Sequence, residues 1–296
     1  MTRAPAASPP VRLAPRWPCW QCRPIVLAGL LALPLLAASL LWPGVSAASG
    51  ADQVDQIDST FAFRETFLPP GVPSVALRDD ETSMLWNPAG LAMSPTYYVG
   101  YAWKGVYLGD DRKVATHFIL TKARGFGLGF MRDNHSEGTR TTSIFTLAPR
   151  IGRTLSVGFT GKWRGGFNFD CGLMYRRPEQ LSIGVVGRNL RERKAVRRYV
   201  EGGIALTAVP HRLTLFFDVI DEDSPWRDAL AYGGGFTARL EYGINTTLSC
   251  FDDGQGHQTY RASLNFIGGV NVIEGEYSTS SNDWHTLSGR IASRSN

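Results

Sequence analysis

From Thr96 onward apolar side chains return at every second residue, and a period of two commits the backbone to extended strands with one greasy and one polar face. Between Leu155 and Trp163 the apolar face carries Leu155, Val157, Phe159 and Trp163, while Ser156, Thr160 and Lys162 point the other way. Phe167, Phe169, Cys171, Leu173 and Tyr175 likewise oppose Asn168, Asp170, Gly172 and Arg176. Leu213, Leu215, Phe217 and Val219 oppose Arg212, Thr214 and Asp218. The same rhythm sets Leu240, Tyr242, Ile244 and Leu248 against Glu241, Asn245 and Thr247, and Tyr260, Ala262, Leu264 and Phe266 against Arg261, Ser263 and Asn265. No run of ten or more residues in this region has helical periodicity.

The pattern divides into fourteen segments: 97–106, 113–121, 125–132, 141–148, 154–164, 167–176, 181–190, 198–207, 211–220, 229–237, 239–250, 258–267, 270–278 and 284–292. An even number of strands, at roughly 14 residues per strand and turn, fits an all-β transmembrane antiparallel barrel occupying 96–296. Links after odd segments tend to be longer than links after even ones, as outer loops and periplasmic turns are in such barrels. Gly165-Gly166 departs from this, being an outer link of almost no length.

A soluble β-sandwich would alternate too. Two features favour lipid. Aromatic residues gather near strand ends on the apolar face, at Tyr97, Tyr101, Trp103, Trp163, Phe167, Tyr175, Tyr242 and Tyr260, as interface girdles require. The opposite face holds charges of both signs, among them Lys104, Lys162, Asp170, Arg176, Arg188, Glu201, Arg212, Asp218, Arg239, Glu241, Arg261, Glu274 and Glu276. A sandwich core cannot hold these, whereas a barrel lumen can.

The first residues read as a secretory leader, 1–47. Arg3, Arg12, Arg16 and Arg23 precede an apolar run from Ile25 to Leu41, and Val45-Ser46-Ala47 supplies the small residues that signal peptidase needs. Cutting there removes four of the 31 Lys+Arg and none of the 26 Asp+Glu, so the formal charge of +5 falls to +1. Nucleic acid then has no electrostatic claim on the protein. Cys19 and Cys22 leave with the leader, and Cys171 and Cys250 read as small apolar side chains rather than a disulfide.

Between leader and first strand, in 48–95, lies a second signal: Leu77-Arg78-Asp79-Asp80-Glu81-Thr82-Ser83-Met84-Leu85-Trp86-Asn87-Pro88-Ala89-Gly90-Leu91-Ala92. Asp79 or Asp80 can cap a short helical turn, Asn87-Pro88 ends it, and Ala89-Gly90 permits close backbone packing. The order of these residues resembles the N-terminal signature of the superfamily that contains FadL-like fatty-acid transporters and PorV-like outer-membrane proteins. The acidic pair falls on Asp79 and Asp80, the aromatic on Trp86, and NPAGLA on Asn87, Pro88, Ala89, Gly90, Leu91 and Ala92. In place of a glycine-rich run before the acidic pair, this chain has Leu68-Pro69-Pro70-Gly71-Val72-Pro73. The resemblance implies a 14-stranded barrel whose lumen is plugged by the segment 48–95.

Three functions follow as expectations. The first is passive transport of a hydrophobic or amphiphilic small molecule across the bacterial outer membrane. The second is a PorV-like scaffold whose sealed lumen serves an envelope protein partner or secretion. The third, a barrel enzyme such as a lipase, has little support: His117, His135, His211, His257 and His285 are scattered without ligand spacing or a nucleophile. Gly125-Phe-Gly-Leu-Gly129 is a strand and not a nucleotide loop, because no helix follows it. No cofactor or metal is expected, and the surrounding partner is outer-membrane lipid. Lys104, Lys162, Asp170, Arg176, Arg212, Asp218, Glu241 and Arg261 are the expected lumen charges.

Overall fold

The computed structural model describes residues 68–295, apart from 109–110, 136–137, 192–197, 223–229, 255 and 282–283. The leader and residues 48–67 of the expected plug lie outside the described residues. Fourteen strands make up the wall: β1 (Tyr97–Leu108), β2 (Asp111–Ala123), β3 (Phe126–His135), β4 (Gly138–Leu147), β5 (Leu155–Trp163), β6 (Phe167–Arg177), β7 (Leu181–Arg188), β8 (Tyr199–Val209), β9 (Leu213–Glu222), β10 (Ala231–Arg239), β11 (Ile244–Asp252), β12 (Gln258–Gly268), β13 (Asn271–Ser280) and β14 (Trp284–Ser295). A two-residue strand, Arg150–Ile151, pairs with Ser156 and Leu155 in the link before β5.

Each strand pairs antiparallel with its sequence neighbour, and β14 returns to β1 in a register running from Tyr97 opposite Ser295 to Leu108 opposite Trp284. The sheet is therefore a closed antiparallel barrel without a free edge strand, the one sheet form that satisfies every backbone group in lipid. The seam between β4 and β5 is short: Ser143–Leu147 pairs with Phe159–Trp163, and the outer part of β4 extends past the tip of the β5–β6 hairpin. The short Gly165-Gly166 link belongs to that tip.

Alternation sorts the side chains as expected. On β5, Val157, Phe159 and Trp163 are exposed, while Ser156 and Thr160 are fully buried inside. Exposed apolar side chains continue round the wall through Ile183, Ile204, Leu215, Phe217, Tyr232, Leu248, Leu264, Ile273 and Ile291. Such a surface belongs in acyl chains and not in water. Cys171 and Cys250 are free thiols, exposed and half-buried respectively.

One element moves. The expected segment 239–250 begins five residues later, because Tyr242 (φ 60°) and Gly243 (φ +77°) adopt left-handed backbone and turn the chain into a short 3-10 helix, Glu241–Gly243. Glu241 is consequently an exposed turn residue, not a lumen charge. Arg212 is corrected in the same way: it lies in the β8–β9 turn, donating its backbone N–H to Val209, and its side chain is exposed. Arg239, at the last position of β10, is also exposed.

Candidate functional site

The inner face of the barrel surrounds the segment 68–92. It contains one α-helical turn, α1 (Ser83–Trp86), and a 3-10 helix, Pro88–Ala92. Asp80 organises the entrance to α1 by accepting from the Thr82 backbone N–H at 3.0 Å and from its hydroxyl. Asn87 caps the next turn, its side-chain oxygen accepting from Ala89 N at 3.1 Å, with Pro88 fixing the first helical φ. The amide nitrogen of Asn87 donates to Val75 O at 2.9 Å and to Leu173 O on β6 at 3.2 Å, so one side chain joins three pieces of chain. Gly90 is required because a Cβ there would stand 2.0 Å from Arg78 O.

The wall is cut to receive this segment. A Cβ on Gly158 would lie 2.2 Å from Ala89 N, one on Gly172 2.1 Å from Asn87 Oδ1, and one on Gly184 2.3 Å from Val75 O. Hydroxyls beside these glycines reach in: Ser156 donates to Ala89 O at 2.7 Å and Thr160 to Met84 O at 2.8 Å. Leu68, Met84, Leu85, Trp86 and Leu91 bury their apolar surface against Ala102, Phe118, Leu120, Met131 and Ile144 of β1 to β4.

Charges supply the remaining contacts. Arg290 on β14 donates to Asp80 at 2.6 Å and Glu81 at 3.1 Å, and its Nε lies 2.9 Å from Glu274 on β13. Arg78 adds a 2.9 Å pair with Asp80. Burial and then the neighbouring Asp80 carboxylate push the Glu81 carboxyl up to about 7, against the pull of Arg290. Burial acts on Asp80 too, but Arg290 and Arg78 outweigh it and hold that carboxyl below its ordinary range. Arg176 on β6 pairs with Asp79 at 2.6 Å, and Lys122 on β2 donates to Asp79 O. Arg188 on β7 donates to the carbonyls of Leu85 and Trp86 and pairs with Glu201 at 3.3 Å. Val75 N and Ser74 Oγ both donate to Asp218 on β9 at 3.2 Å.

The remaining sequence-derived positions are placed as follows. Lys104 is buried and donates to Leu68 O at 3.4 Å. Lys162 pairs with Asp170 at 2.8 Å. Arg261 lies 5.9 Å over the Trp86 ring, and the Trp86 indole N–H donates to Pro69 O at 3.1 Å. Asp79, Asp80, Trp86, Asn87, Pro88, Ala89, Gly90 and Leu91 all sit in the enclosed segment, whereas Arg212 and Glu241 lie outside it.

Sequence reasoning missed two groups. Glu81, Arg78 and Arg290 carry much of the ionic attachment, yet single charges on a strand do not reveal which partner they meet. An apolar inner patch, Tyr199, Phe216, Ile220, Ala231 and Phe251 with Val72, Leu77 and Trp284 against it, was also overlooked. Its signal was present: 213–220 is apolar on both faces except at Thr214 and Asp218.

No family model matches the chain, and no curated protein matches it either. Solved structures do. The TodX monoaromatic hydrocarbon channel, as a deltaS2 mutant, is similar over 76% of this chain and 96% of its own, at 7% identity and a TM-score of 0.51. A Pseudomonas aeruginosa FadL homologue covers 75% of this chain and 95% of its own at 9% identity and a TM-score of 0.46. The Acinetobacter baumannii outer membrane protein Omp33 covers 69% and 100% at 8% identity and 0.48. The fold is thus a closed antiparallel β-barrel like that of the TodX channel.

Proposed function

We propose that the protein is an outer-membrane barrel closed at rest by its own N-terminal plug, and that it passes hydrophobic or amphiphilic small molecules when the plug shifts. One observation carries this reading. The plug is held in the lumen by hydrogen bonds and ion pairs to Ser156, Thr160, Arg176, Arg188, Asp218 and Arg290, contacts that can be exchanged for water and remade. The apolar patch around Phe216, Ile220 and Phe251 is covered at rest by Val72, Ala76 and Leu77, and once uncovered it suits the tail of an amphiphile.

The test is uptake of a labelled long-chain amphiphile into vesicles containing the full chain, compared with the chain carrying R290Q and N87A together. Slow uptake by the native chain and faster uptake by the variant support a movable plug. A second reading, an envelope scaffold with a sealed lumen, is favoured by how completely 68–92 is buried. Equal, negligible uptake by both proteins selects it and rejects transport.

We also propose that the protein acts without catalysis. The described histidines stand apart: His117 bonds the Tyr101 hydroxyl at 2.8 Å and His285 stacks on Tyr107, both on the outer wall, while His211 and His257 pair with Glu179 and Asp253 near strand ends. Hydrolysis of a lipid ester by the purified barrel would reject this.

A further inference from the structure

Among the described residues, the end of the barrel bearing the short turns carries an excess of exposed arginine. Arg124 (β2–β3), Arg150 and Arg153 (before β5), Arg177 (end of β6), Arg212 (β8–β9) and Arg239 (end of β10) are all exposed there. Among described exposed side chains at that end, Glu179 and Glu241 carry the opposing charge, and Glu179 is already engaged by His211 at 3.1 Å. At the opposite end the described charges meet in pairs such as Asp133–Arg164 at 2.6 Å and Asp253–His257 at 2.9 Å.

Exposed apolar side chains of the wall stand beside these arginines. Arg177 extends the outward row of Leu173 and Tyr175 on β6. Arg150 and Arg153 flank the exposed Ile151, Arg212 follows exposed Val209, and Arg239 precedes exposed Leu240. The Arg124 guanidinium lies 6.0 Å over the Tyr97 ring at the start of β1. Exposed apolar side chains and guanidinium groups thus neighbour one another at this end of the wall from β2 to β10. A guanidinium matches phosphate oxygens with two parallel donors and is only weakly hydrated, so it binds phosphodiesters at an interface better than an ammonium does. Short turns mark the periplasmic side of such barrels.

We propose that these six arginines form a collar that binds the phosphate headgroups of anionic glycerophospholipids in the leaflet on the short-turn side. The proposal rests on the reading that the barrel spans a membrane, and goes beyond it by naming the lipid class and the residues that select it.

The experiment compares the full chain refolded into vesicles of phosphatidylcholine alone and of phosphatidylcholine mixed with phosphatidylglycerol, following the midpoint at which the fast-migrating unboiled band is lost on heating. The expected result is a higher midpoint with phosphatidylglycerol, a gain that shrinks in high salt. It should vanish in a variant with all six arginines changed to Gln and persist at reduced size when all six are changed to Lys. It should also survive in the opposite-end control R132Q/R140Q. Equal midpoints in both lipids, or loss of the gain in the control, overturn the collar. Retention of the chain on cell-wall glycan without any lipid preference overturns it as well. Failure to give a heat-modifiable band even in phosphatidylcholine would instead strike the membrane-barrel reading itself. If the Gln variant does not fold, the salt dependence of the native chain still decides.

Discussion

At the scale of single residues, the chain's specificity lies where backbone meets backbone inside the wall. Asn87 makes three hydrogen bonds that no other side chain can replace together, two from its amide nitrogen and one at its oxygen. Asn87→Ala removes a cap and leaves buried groups unpaired, so unfolding measurements should show a loss of about 3 kcal/mol. Gly158→Val should be worse for the enclosed segment than for the wall, since its Cβ would overlap Ala89 N. Protease cleavage within 68–92 is expected to rise while the heat-modifiable band persists. Glu81 gives the enclosed segment a pH dependence. Its carboxyl is raised from 4.5 to about 7, so its protonated form favours the docked state. The stabilisation is complete below 4.5 and is lost as pH rises through about 7. Protease sensitivity of the segment should therefore increase across that window in the native chain and stay flat in Glu81→Gln. The motif residues were legible because their types are dictated locally: a capping Asn, a Pro that starts a turn, a Gly pressed against a carbonyl. Glu81 was not singled out because its environment is assembled from Arg290 and Glu274, some two hundred residues away.

At the scale of the strand, the period of two was sufficient to find all fourteen and, in the segments read residue by residue, the face turned to lipid. A slip of one residue is excluded with it, since that would place Leu155, Val157 and Phe159 inside against Ala89 and Met84. A positive charge on the outer face of β5 should be costly in proportion to depth: Val157→Arg is expected to lower stability in a bilayer by about 2–4 kcal/mol. Folding titrations in detergent and in vesicles, compared with the same change at an exposed turn residue such as Gln180, would measure it. The strand boundary at β11 was misread for a reason that alternation cannot reveal. Leu240, Tyr242 and Ile244 continue the apolar rhythm through the turn, and the reversal comes from the left-handed backbone of Tyr242 and Gly243. Arg212, next to His211 (φ 58°), was misplaced by the same kind of turn. Phe216 and Ile220 were hidden by the opposite problem: once Leu215, Phe217 and Val219 had claimed the lipid face, apolar residues between them did not fit the assumption of a uniformly charged interior.

At the scale of the whole molecule, the wall is completed by its own first and last strands, with Tyr97 set opposite Ser295. The cylinder cannot close until the final strand has been made, and contacts of such sequence separation are slow to form. Whatever is to occupy the interior must be in place at that moment. The order of events is that of a ship built into its bottle: a peptide spanning 68–92 should be captured when mixed with the unfolded remainder of the chain before refolding, and be refused once that remainder has already sealed. Size-exclusion of a fluorescent peptide with the two preparations would distinguish them, and equal capture in both would mean that the wall opens again after assembly.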